Sequence, residues 1–190
     1  MLSNRSNYRN LSSSADYFEE VIDPNYDAFF DNDSSFVNAI NLVVSLFHFH
    51  EWLFNEYKSQ ICEKYGHEFN SAGGFWGHVQ SVNPNFGYIR DMSNASKHVE
   101  IGGKRYHPPS TGMRHINNTF LRIPAFSSTA FESTYFDTEQ NVVFEDDGYL
   151  IEMDDCVLEL YGFWKSLIEE LSGKTIGKKR RTTQILNGNA

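Results

Sequence analysis

Residues 90 to 98, RDMSNASKH, carry the side chains of this chain best suited to chemistry. Arg presents a fixed planar fork that matches phosphate oxygens, and His exchanges protons near neutral pH, so the pair suits phosphodiester chemistry. At about 100° per residue, Arg90, Asn94 and His98 step slowly around one side of a helix, and Asp91 and Lys97 flank them. Met92, Ala95 and Val99 fall on the opposite side, with Ile89 beside them. The helix is amphipathic, and its polar arc needs no explanation beyond facing water.

A second polar stripe crosses an otherwise apolar helix. Asn41, Ser45, His48, Glu51 and Asn55 share an arc beside Trp52, while Ile40, Leu42, Val43, Leu46, Phe47, Phe49, Leu53 and Phe54 cover the rest. A buried polar group without a partner costs roughly 1–3 kcal/mol, so this stripe needs either a cleft or partners across the bundle. The Arg90–His98 arc is the richest supply of partners, and the two arcs are expected to face each other. Three readings stay open. The residues form a structural network; or they line a cleft where Arg90 and Lys97 meet anionic groups and His98 moves protons; or His48-x-x-Glu51 with Asp91 or His98 ligates a divalent ion, as in bundle metalloproteins. The third lacks a second Glu-x-x-His pair and sets Arg90 and Lys97 against the ion, so neither metal nor cofactor is expected. No nucleophilic triad or phosphate-cradling glycine loop is evident; Gly73-Gly74 and Gly102-Gly103 read as turns. His50 points to the apolar arc as a core residue, and His67, His107 and His115 fall in loops.

The elements that must position these groups are legible from periodicity and caps. SADYFEEVI opens a short helix with Ser14 as N-cap, Asp23-Pro24 reads as stop and restart, and a short helical piece follows around NYDAFF. Between caps at Asp33 to Ser35 and an exit at Gly66 lie about thirty residues without Gly or Pro, which predicts one long central helix. GGFWGHVQSV predicts a short helix behind a glycine hinge, and Asn83-Pro84 starts the helix that runs through RDMSNASKH. HPPSTG, 107 to 112, reads as a flexible loop. From Phe120, TFLRIPAF, FESTYF, NVVFE and GYLIEM are β-prone, with turns at DTEQN and EDDG. Asp154 and Asp155 are placed to cap a last helix with Val157, Tyr161, Trp164, Ile168 and Leu171 on one face, stopping near Gly173.

The expected architecture is α+β, mostly α: a helical bundle with a small antiparallel sheet before the C-terminal helix. Residues 1–13 form a loose polar arm, 14–173 a single domain with the β insertion at about 118–153, and 174–190 an unpacked basic tail. The chain is long enough for a core without staples. No apolar run reaches the roughly 18 residues of a membrane span, and two distant cysteines suit a reduced cytoplasm. From Lys174 the chain carries five bases and no acids; the remainder holds 11 bases against 25 acids, a body charge of −14. So acidic a body repels phosphate backbones, which excludes generic nucleic-acid coating.

The H-x-x-E-W run at His48, Glu51 and Trp52, NASKH at 94 to 98, and DGYLIEMDDCVLELYGFW resemble a group of uncharacterised bacterial helical proteins, over about residues 35 to 172. More distantly, Arg90-Asp91 followed by His98 resembles the HEPN superfamily. Its members are helical bundles, often dimeric, many of them metal-independent ribonucleases of toxin and phage-defence systems, others non-catalytic partners. The resemblance implies that Arg90 stabilises a phosphoryl group, His98 acts as acid or base and Asp91 orients a neighbour. His48, Glu51, Trp52, Asn94 and Lys97 would be the supporting residues. RNA, a second copy or another protein would be the partner. Seven residues separate Arg90 from His98, more than in that family's motif, and set the two about 80° apart around the helix. The alternative expectation is a non-enzymatic interaction protein in which His48, Glu51, Arg90, Asn94 and His98 are a buried polar network.

Overall fold

Ser35 and Gly66 bound the longest element. Ser35 Oγ accepts the Asn38 N–H at the start of helix α3, Phe36–Tyr65, and Gly66 closes it in the left-handed conformation at φ 60°. The computed structural model describes residues 10–98, 109–122 and 141–176. Non-helical dihedrals at Tyr57 kink α3, and each of the other described α-helices packs against it. The architecture is α+β and mostly α, as the periodicity predicts.

Before α3 the chain stays helical without a break. Helix α1, Ser14–Tyr17, passes through a π-helical turn, Phe18–Ile22, into α2, Asp23–Asp31. The restart expected at Asp23-Pro24 is met by α2, with Pro24 in its first positions, but the expected stop is not: the wider turn, with the Asp23 N–H bonded to the Phe18 carbonyl, leads into α2 without a break. The N-cap is Ser13 rather than Ser14, since Ser13 Oγ accepts the Asp16 N–H. Ser12 also bonds the Asp16 carboxylate, so part of the expected arm is tied to the first helix.

After α3 come α4, Ala72–Val82, and α5, Asn85–His98. Gly73 and Gly74 lie in the first turn of α4, capped by Ser71 Oγ, and are not a separate turn; Gly102-Gly103 lie outside the described residues. Strands β1, Thr119–Arg122, β2, Asn141–Asp146, and β3, Tyr149–Glu152, pair antiparallel in that order, with Phe120 opposite Val143 and Phe144 opposite Ile151. Asp147 and Gly148 both take positive φ, the two-residue turn that an Asp-Gly pair favours. FESTYF and the DTEQN turn lie outside the described residues.

Helix α6, Met153–Ser172, ends at Gly173 in the left-handed conformation. Asp154 and Asp155 sit within its first turn, where they suit the positive helix end without capping it. The chain does not leave the body at Gly173: Ile176 is buried, and its N–H donates to Glu169 Oε1. The core gathers Trp164 against Phe49, Phe75 and Phe86, with Phe18 beside Phe49. No helix among the described residues is long and apolar enough to cross a membrane.

Candidate functional site

Helix α5 is not an amphipathic surface helix over most of its length. Phe86, Ile89 and Met92 are fully buried, and so are Asp91 and Ser93, because α3, α4, α6 and the segment before β1 surround it. Arg90 is 3 % exposed. Its guanidinium lies over the Trp76 ring of α4, 4.4 Å from the centroid, and donates to Ser110 Oγ. Ser110 Oγ in turn donates to Gln80 Oε1 at 2.8 Å.

The Asp91 carboxylate completes this cluster. One oxygen accepts the Ser110 N–H at 2.6 Å, the Thr111 N–H at 2.9 Å and the Thr111 hydroxyl at 2.9 Å. The other lies 3.5 Å from Arg90 Nη1. Burial pushes the Asp91 carboxyl above its usual range, opposed by Arg90 and then by the Thr111 and Ser110 donors. Burial lowers Arg90, with Asp91 opposing. The described part of the 107–112 segment is thus pinned, not loose, which corrects the expectation of a flexible loop there.

The clamp extends to the hairpin. The Gly112 N–H and the Tyr88 hydroxyl both donate to the Asp146 carboxylate, and the Tyr88 ring stacks on Phe144 at 6.1 Å. A Cβ on Gly112 would collide with Asp146 Oδ1 and stand 2.8 Å from the Asp147 backbone nitrogen. Gly112→Ala is expected to destabilise the fold by at least about 1–3 kcal/mol through overpacking, read from a lower urea midpoint at unchanged slope.

The second centre lies at the exposed end of α5. Lys97 Nζ stands 2.6 Å from His48 Nε2 on α3, and His48 Nδ1 lies 3.6 Å from Glu51 Oε1. Burial holds His48 below its ordinary pKa, Lys97 adds to this, and Glu51 opposes both. A neutral imidazole then accepts from the Lys97 ammonium at Nε2 and carries its proton at Nδ1, toward Glu51. Glu51 also lines a surface cavity of about 440 Å³ with Ser12, Ser13, Trp52, Asn55 and Glu56. His50, as expected, is a core histidine, 2 % exposed with Nδ1 against the Phe47 carbonyl.

The sequence-predicted residues therefore divide. His48, Glu51 and Lys97 come together, with Trp52 beside them on the cavity wall. His98 is exposed at the end of α5 and Asn94 is half-buried. Arg90 and Asp91 turn instead to α4 and the 110–111 segment, and about 10 Å of helix rise separates Arg90 from Lys97. The α3 stripe divides too. Ser45 is buried, donating to the Leu42 carbonyl and lying 3.5 Å from Asn25 of α2. Trp76, Gln80, Ser110, Thr111 and Asp146 carry no local signal in the sequence, because each meets its partner 14 or more residues away. Among the described residues no three or more His, Cys, Asp or Glu side chains are grouped to hold a metal ion. Set against known proteins, the chain matches no family model, no curated protein and no solved structure.

Proposed function

We propose that this chain is a non-enzymatic interaction protein in which Arg90 and Asp91 are a structural clamp. One observation carries the reading: the cation best suited to a phosphoryl group is buried, stacked on Trp76 and bonded to Ser110. A guanidinium so placed is committed to the fold. The burial of Asp91 and its three bonds to residues 110 and 111 support the same assignment.

A second reading follows from the exposed end of α5. There Lys97, His98 and a neutral His48 offer cation and proton carriers to solvent, which favours a HEPN-like, metal-independent ribonuclease of the toxin or phage-defence kind. Incubating the purified protein with RNA in excess chelator separates the two. Intact RNA is expected with the wild-type chain, and the main effect of Arg90→Ala is expected on stability. RNA cleavage by the wild type, lost in a folded His98→Ala variant, would overturn the interaction reading in favour of the nuclease.

A further inference from the structure

Two helices bring an imidazole and an amine to contact distance at the surface: His48 Nε2 of α3 and Lys97 Nζ of α5 stand 2.6 Å apart. Reagents in solution can reach both, since the His48 side chain is 33 % exposed and Lys97 is exposed. The ring is nevertheless held in place. Phe47 packs beside it at 5.0 Å between centroids, and Glu51 Oε1 lies 3.6 Å from Nδ1. Burial and Lys97 keep His48 below its ordinary pKa, so the imidazole is neutral near neutral pH, with the Nε2 lone pair on the Lys97 side.

A neutral imidazole is a nucleophile toward activated acyl groups, and an amine beside it can end such a transfer in a stable amide. Other lysines are placed differently. Lys64 Nζ is paired with Glu170 at 2.6 Å, and Lys58 Nζ lies over the Phe54 ring at 5.7 Å.

We infer that His48 and Lys97 form a self-acylation site, in which His48 takes the acyl group of an activated ester and passes it to Lys97. The flexible Lys97 stem swings its ammonium off Nε2 and admits the acyl carbon. Nε2 attacks the carbonyl; the Nε2–C bond forms, the ester C–O bond breaks and the alkoxide leaves. The Nδ1 proton is released toward Glu51. Lys97, having given a proton to water, then attacks the same carbon. The amide N–C bond forms, the C–Nε2 bond breaks and the imidazole recovers its proton. One ester and one ammonium become one amide, one alcohol and one proton, with nothing oxidised or reduced. Each chain reacts once, and the end of α5 loses a cation. The inference stands apart from the interaction reading, because it requires neither a partner nor RNA.

The test treats full-length protein with p-nitrophenyl acetate and locates acetylated lysines by peptide mass spectrometry. Because proximity turns the second step into a unimolecular one, Lys97 is expected to react at least about tenfold faster than the exposed Lys58. In His48→Gln, shown to be folded by circular dichroism, Lys97 should fall to the rate of Lys58. In Lys97→Arg, which keeps the charge, p-nitrophenolate release should persist while the amide at position 97 disappears. The wild-type burst of p-nitrophenolate should follow the neutral form of His48 and level off near neutral pH, whereas direct attack by a lysine goes on rising to about pH 10. Equal rates at Lys97 and Lys58, a Lys97 rate unchanged in His48→Gln, release lost in Lys97→Arg, or a burst that keeps climbing with pH overturns the proposal.

Discussion

Asp91→Ala is expected to lower the free energy of unfolding by about 3–5 kcal/mol, the range for breaking a buried ion pair from one side. The substitution leaves the Ser110 and Thr111 N–H groups without their acceptor and strips the buried Arg90 of its neighbouring charge. Urea unfolding measures this directly. A loss below about 1 kcal/mol would show that the clamp is not structural, and the interaction reading would lose its main support.

The pH dependence has an unfamiliar sign. Burial raises the carboxyl in the folded state above its unfolded value. Asp91 therefore contributes stability that is fully present below the ordinary carboxylate range and declines as pH rises through the raised value. The stability gap between the wild type and Asp91→Asn should accordingly be wider in acid than near neutrality. A simple exposed ion pair gives the opposite trend.

What the sequence made legible here is local. Ser35 and Gly66 bracket a run without Gly or Pro, and Asp147-Gly148 closes a hairpin; each signal lies within a few residues of its effect. The fate of Arg90 and Asp91 could not be read in that way. An arc of polar side chains has the same periodicity whether water or another segment covers it, and the covering groups are Trp76 and residues 110 and 111. Pro24 shows the same limit: its place at the start of α2 is legible, while the π turn that leads into it without a break is not. His48 and Lys97 do meet, but across two helices whose registry only tertiary packing sets.

Trp164→Ala is expected to cost a further class of interaction, about 3–5 kcal/mol, because the indole is fully buried and sits where α3, α4, α5 and α6 converge. Its Nε1–H also donates to the Leu46 carbonyl at 3.0 Å. Calorimetry should show the melting temperature falling by roughly 2–4 °C per kcal/mol lost, for a chain of this size. Trp164→Phe, which keeps most of the volume, should lose much less; equal losses would mean that the hydrogen bond and not the packing dominates.

The bond from Ser110 to Asp91 also closes a loop, joining residues 19 apart in the chain. The entropy of closing such a loop grows only with the logarithm of its length, and doubling it costs about 0.6 kcal/mol. A single carboxylate thus ties the Ser110–Thr111 segment back to α5 across a separation of 19 residues.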